Sequence, residues 1–133
     1  MTPDLWYLFL SSVLLTVLWI PHIIGQVMTK GPLTAGEYRD LREQSDFPAW
    51  VRRANRAHIN FVEQYGAFAG LVIVAHLTGA ANETTALAAM AFFWFRIAHS
   101  VVMLAGIRVL MLRTLIFTCA FLSLLVIAWQ IAF

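Results

Sequence analysis

The chain has 133 residues, of which 61% are hydrophobic and only 12% charged, with a mean hydropathy of +0.77. An ordinary soluble domain is about 45–50% apolar, so these proportions exclude a soluble protein and point to an integral membrane protein of one domain. A net charge of +2 is too small to imply a nucleic-acid partner, and a single cysteine, Cys119, excludes an intramolecular disulfide.

Leu5 to Val27 is almost entirely apolar. At about 1.5 Å per residue it is long enough to cross a hydrocarbon core of about 30 Å. It has no basic n-region and no small-residue cleavage site after it, so it is expected to remain as the first membrane helix rather than to be removed as a signal peptide. Pro21 removes a backbone hydrogen bond and is expected to kink that helix, leaving His22 and Gln26 near its inner end.

From Thr29 to Asp46 the chain turns polar, and GEYRDLREQSD mixes both charge signs in a pattern that fits a short surface helix or an ordered loop. Ser45 or Asp46 followed by Pro48 reads as a helix start, because a short polar side chain can cap free amides and proline fits the first turn. The second helix is expected over about 48–78, with Trp50 and the arginines at the interface. Ala80 to Thr84 makes a tight connection, and the Asn82-Glu83-Thr84 triplet reads as turn chemistry rather than as a glycosylation acceptor. Residues 85–105 give a third span and 113–133 a fourth, rich in the Leu, Ile and Phe suited to lipid.

The basic residues set an expected orientation. Lys30, Arg39, Arg42, Arg52, Arg53 and Arg56 surround the first loop, and Arg108 and Arg113 the third. The positive-inside rule then places the first and third loops in the cytoplasm and both termini outside, with Trp6 and Trp129 at the same outer interface.

Polar residues inside the spans are the informative ones. On a helix, Arg56, Asn60 and Glu63 fall on one narrow stripe because they are spaced four and three apart. Arg96 lies mid-span, where an unpaired charge costs at least about 2.5–3.5 kcal/mol on insertion scales. Glu63 is the acidic residue set well inside a span, so a Glu63–Arg96 ion pair between the second and third helices is expected. Arg96, His99, Ser100 and Met103 share a face by the same spacing rule. Together with Arg113 at the start of the fourth helix, these groups suit a small, anionic, peptide-like ligand in the cytoplasmic half of the bundle. The stripe does not continue to the outer side, which argues against a channel. His58 and His76 read as packing or interfacial residues, and the four histidines lack metal-site spacing.

RAHINFVE in the second helix, FRIAHSVVMLAG in the third and LRTLIF opening the fourth resemble the MAPEG family, the membrane-associated proteins in eicosanoid and glutathione metabolism. The likeness covers most of the chain and is strongest to bacterial members. It implies an all-α integral membrane four-helix bundle assembled as a homotrimer, with glutathione held between neighbouring subunits on the cytoplasmic side. It also implies site roles: Arg56, Asn60 and Glu63 hold glutathione or support its pocket, Arg96 and His99 form the third-helix pair, and Gln26 approaches the neighbouring subunit's site. Arg113 would stabilise the glutathione thiolate, with Thr114 in place of a neighbouring serine.

Four positions depart from the family pattern: Met28 and Ile59 stand where arginines are frequent, and Met103 and Phe117 where tyrosines are. The third loop is also one or two residues longer, so the match of Arg113 depends on where the gap is placed. Each departure removes a donor, and a lost charge-assisted bond typically costs about 1.5–3 kcal/mol. These departures weaken the hold on glutathione, whereas the resemblance itself implies a membrane-bound glutathione-dependent transferase or peroxidase acting on lipophilic electrophiles, located in a bacterial inner membrane. The alternative is a non-catalytic MAPEG-fold scaffold that binds lipid or a partner.

Overall fold

In the computed structural model, which describes residues 1–133, all regular structure is helical. Five α-helices follow one another: α1 (Pro3–Leu18), α2 (Ile20–Lys30), α3 (Ala49–Leu77), α4 (Glu83–Ala105) and α5 (Leu112–Ala132). Helices α1 and α2 make one span of 28 residues interrupted only at Trp19. The interruption follows from Pro21, which has no N–H to donate, while Ile23 N–H reaches back to the Trp19 carbonyl at 3.2 Å and carries the helix onward. The molecule is thus a four-helix bundle.

Three of the four spans, Pro3–Lys30, Glu83–Ala105 and Leu112–Ala132, are apolar and long enough to cross a membrane unaided. Helix α3 is the longest at 29 residues, yet its first half carries three arginines and Asn60, Glu63 and Gln64. It is carried by its packing. Val51, Ala54, Ala57, Phe61, Gln64, Phe68, Val72 and Ala75 are all buried and recur at steps of three and four, so one seam runs down its whole length.

Within a bilayer, burial from water no longer drives helix association, and close packing must. Small residues provide it: Ala57, Ala75, Ala89 and Ala120 are fully buried between α3, α4 and α5. Phe68 stacks on Phe92 at a centroid distance of 4.1 Å, and Phe61 packs beside Phe92 at 6.3 Å. On α2, a Cβ at Gly25 would stand 2.5 Å from Val51 and 2.7 Å from Trp50, so only glycine permits this approach of α2 to α3.

The expected cap at Ser45 or Asp46 is not formed. Both residues lie in a single 3-10 turn, Gln44–Asp46, and α3 begins after Pro48 without a side-chain cap. Asp46 is drawn instead to Lys30, 2.8 Å away. The long loop before α3 is ordered by Arg42, whose Nε and Nη2 donate to the two Glu37 oxygens at 2.7 Å each and whose remaining nitrogen donates to the Gly31 carbonyl at 2.8 Å. This pairing, helped by the Thr34 N–H, lowers the Glu37 pKa from 4.5 to about 2. At the other end of the bundle Asn82 caps α4, accepting from the Thr84 and Thr85 amides at 2.8 and 3.1 Å, and donates to Gln130 on α5 at 2.7 Å.

Candidate functional site

A cavity of about 270 Å³ opens between α3, α4 and α5 near the end of the bundle that carries the long loop. Its polar walls are Arg56, Asn60, Glu63, His99, Arg113 and Thr114. Three separate helices supply them. Helix α3 contributes the Arg56, Asn60, Glu63 stripe, which sits one residue ahead of the buried Ala57, Phe61, Gln64 seam and therefore on its flank. Arg56 and Glu63 are exposed and Asn60 is half-buried. Helix α4 contributes His99, 2% exposed, and α5 contributes Arg113 and Thr114 in its first turn.

Two atoms along this wall are unsatisfied. Asn60 Oδ1 and His99 Nδ1 are buried and have no hydrogen-bond partner in the chain. Leaving a buried polar atom unpaired typically costs about 1–3 kcal/mol, so both atoms are available to a group that would supply the missing bond. The guanidiniums of Arg56 and Arg113 are likewise free of any carboxylate, since the ion pairs are Lys30–Asp46 and Glu37–Arg42 alone. The cavity thus offers two cations, one anion and unpaired donors and acceptors. Ile59, Met103 and Phe117 complete its lining with apolar surface, and these are three of the four departures from the family pattern.

Arg96 does not line the cavity. It is fully buried beneath it, and the expected Glu63–Arg96 ion pair is not formed. Arg96 Nη1 donates instead to Gln64 Oε1 at 3.1 Å, and its guanidinium lies over the Phe61 ring at 4.9 Å and near Phe117 at 6.0 Å. The reason is helical register. Glu63 precedes Gln64 by one residue, about 100° around the helix, so when Gln64 points into the seam Glu63 cannot. Gln64 is the polar residue that the charge-based reading passed over. The signal was present in the step from Ala57 through Phe61 to Phe68, which puts residue 64 on the apolar seam.

Ser100 and Met103 complete the buried face of α4 with Arg96 and His99, Ser100 Oγ donating to the Arg96 carbonyl at 2.8 Å. Gln26 stands apart on α2, half-buried, and is not among the residues of this cavity. Met28, also on α2, is 76% exposed. His58 and His76 lie outside the cavity as well.

The MAPEG family model matches residues 5–133, essentially the whole chain. The chain belongs to the MAPEG family. Among curated proteins, none matches it. As a MAPEG protein it is an integral membrane four-helix protein of a family concerned in general with glutathione and eicosanoid metabolism. Its exposed apolar residues on the spans, Phe9, Val13, Val17, Trp94, Leu122 and Val126 among them, are the surface such a MAPEG bundle presents to lipid.

Proposed function

We propose that this protein is a membrane-bound glutathione-dependent transferase or peroxidase acting on lipophilic electrophiles. The observation that carries the proposal is the cavity in which Arg56, Asn60, Glu63, His99, Arg113 and Thr114 meet, with two buried atoms left unpaired. Glutathione carries carboxylates, an ammonium, a thiol and a peptide backbone; Arg56 and Arg113 suit one carboxylate and the thiolate, Glu63 the ammonium, and the free amide and imidazole atoms the backbone. When bound, it supplies a thiolate nucleophile for addition to an electrophile or reduction of a hydroperoxide.

Arg113 holds the negative charge at the sulfur, since a guanidinium in the first turn of a helix adds to the field of the helix N-terminus. Thr114 offers its hydroxyl beside it. Arg56 takes a peptide carboxylate, Glu63 the ammonium, and Asn60 and His99 orient the backbone through the atoms that are otherwise orphaned. Arg96, held by Gln64 and Phe61 and three residues before His99 on α4, stiffens the buried face that carries His99.

A homotrimer fits the exposed back of α3. Opposite its buried seam, Ile59, Glu63, Gly66 and Gly70 are all exposed, and nothing lies within 4 Å of where a Cβ of either glycine would be. Two glycines four apart allow a second helix to approach closely, and a carboxylate at this depth has no partner in its own chain. Copies packed on this face would cover Glu63 and enclose the ligand between subunits, with Gln26 contributed from the neighbour. With the basic first and third loops on the cytoplasmic side of a bacterial inner membrane, the cavity faces the cytoplasm and its glutathione.

A second reading is a non-catalytic scaffold for lipid or a partner, favoured by the apolar Ile59, Met103 and Phe117 in the cavity wall. One titration decides. Purified protein is mixed with glutathione while thiolate absorbance and conjugation of a generic aromatic electrophile are followed. Binding that is lost in Arg113→Ala and retained in His76→Ala supports the enzyme. Absence of binding at millimolar glutathione rejects it in favour of the scaffold.

A further inference from the structure

A second hollow of about 410 Å³ lies beside the first, framed by the end of α4, the loop Gly106–Met111 and the start of α5. The two share Met103, Arg113 and Thr114, while Arg53 and Arg108 belong to the second alone. No acidic residue lines it, and none of its three arginines is in an ion pair. Like charges gathered without a counter-charge repel one another, and they persist together where an anion completes them.

Arg53 is positioned rather than loose. Its Nε donates to the Met103 carbonyl at 3.2 Å, and its guanidinium lies against Gly106, where a Cβ would stand 2.8 Å from Cζ. The two terminal nitrogens of Arg53 have no partner in the chain, and a planar guanidinium with two free nitrogens matches a phosphate in bidentate fashion. Arg108, on the loop, is exposed on the same rim.

The hollow also has a direction. It continues into an apolar trough of about 450 Å³ through Val109, Leu110, Met111 and Thr114, ending along α5 at Leu115 and Thr118. Leu115, on the apolar span of α5, is 62% exposed and so faces lipid, and Leu110, in the loop just before that helix, is 90% exposed. A soluble anion would use the arginines and leave the trough empty. An amphiphile uses both.

We propose that this hollow and trough bind an anionic phospholipid of the adjoining leaflet, its phosphate on Arg53 and Arg108 and one acyl chain along Leu110, Met111 and Leu115. The site does not depend on the glutathione reading, because Arg53 and Arg108 take no part in the thiol cavity. Bound there, the lipid adjoins Arg113 and Thr114, so the bilayer itself completes one wall between the two cavities.

The test uses the full chain, purified and delipidated in a neutral detergent, with phosphatidylglycerol and phosphatidylcholine of identical chains as probes. Lipid retention is read by native mass spectrometry and thermal melting. Phosphatidylglycerol is expected to stay bound and raise the melting temperature where phosphatidylcholine does not. The preference should fall about twenty-five-fold in R53Q/R108Q, from two arginines each worth roughly fivefold near an anionic headgroup. R108Q alone, on an exposed loop, should keep the lipid-free melting temperature and still lose part of the preference. Arg39→Gln, in the first loop, should lose none. Equal retention of the two lipids, a preference that survives R53Q/R108Q, an equal loss in Arg39→Gln, or a full thermal shift with soluble glycerol phosphate would each overturn the proposal. None of these readouts involves glutathione, so failure here leaves the thiol chemistry to be judged on its own titration.

Discussion

Replacing Gln64 by leucine isolates the contact on which the buried charge depends. Arg96 is fully buried, and of its three guanidinium nitrogens only Nη1 has a hydrogen-bond partner, Gln64 Oε1 at 3.1 Å, while Nε and Nη2 have none. Leucine keeps most of the side-chain volume, so packing in the seam is largely preserved and the change removes one acceptor. A hydrogen bond to a charged group contributes about 1.5–3 kcal/mol, and the charge left behind at mid-span approaches the insertion cost of about 2.5–3.5 kcal/mol. The cation–π contact with Phe61 remains and offsets about 0.5–2 kcal/mol of that. The expected loss for Gln64→Leu is therefore about 2 kcal/mol, at the lower part of the first range. The assay is a double-mutant cycle in detergent, with unfolding free energies for Gln64→Leu, Arg96→Met and the pair, and a parallel cycle with Glu63→Gln. Coupling near 2 kcal/mol is expected for Gln64 with Arg96 and below about 0.5 kcal/mol for Glu63 with Arg96, the usual limit for groups without shared partners. Any effect of Glu63→Gln on assembly cancels in its cycle. A strong Glu63–Arg96 coupling with a weak Gln64 term would refute the register argument and restore the ion pair expected from charge alone.

Three further outcomes follow from the same geometry. Glu37 has a folded pKa depressed to about 2 from 4.5, so its clamp on Arg42 should be fully present above pH 4.5 and be lost as pH falls toward 2; hydrogen exchange of residues 31–46 should show protection persisting at pH 3.5, and Arg42→Gln should abolish it at every pH. Asn82→Ala removes an acceptor for two amides and the bridge to Gln130, and should lower unfolding stability by about 1–2 kcal/mol without altering glutathione titration. Gly106→Ala should cost about 1–2 kcal/mol, because φ is 68° and a Cβ would press on the Arg53 guanidinium, and Arg53→Ala should relieve the steric part when the two are combined. An unchanged melting temperature in Gly106→Ala would show that the loop reshapes freely.

The membrane class, the four-helix plan and the family were legible from the chain itself. The reason is that a bilayer restricts spanning segments to apolar helices of a set length, so hydropathy along the sequence nearly fixes the elements. The polar residues were also visible, since any of them inside a span is costly and conspicuous: Arg56, Asn60, Glu63, His99 and Arg113 stood out before their places in space were known. Spacing alone put the first three on one stripe. It could not say which of two adjacent stripes faces inward, because a rotation of one residue exchanges Glu63 for Gln64 and changes the partner of Arg96. That choice belongs to tertiary packing, where Ala57, Phe61, Phe68 and Ala75 must meet Ala89 and Phe92 and so fix the rotation of α3. The second hollow is decided at the same level. Arg53 and Arg108 are 55 residues apart in sequence, and only the left-handed turn at Gly106 and the docking of α4 against α3 bring them to one rim.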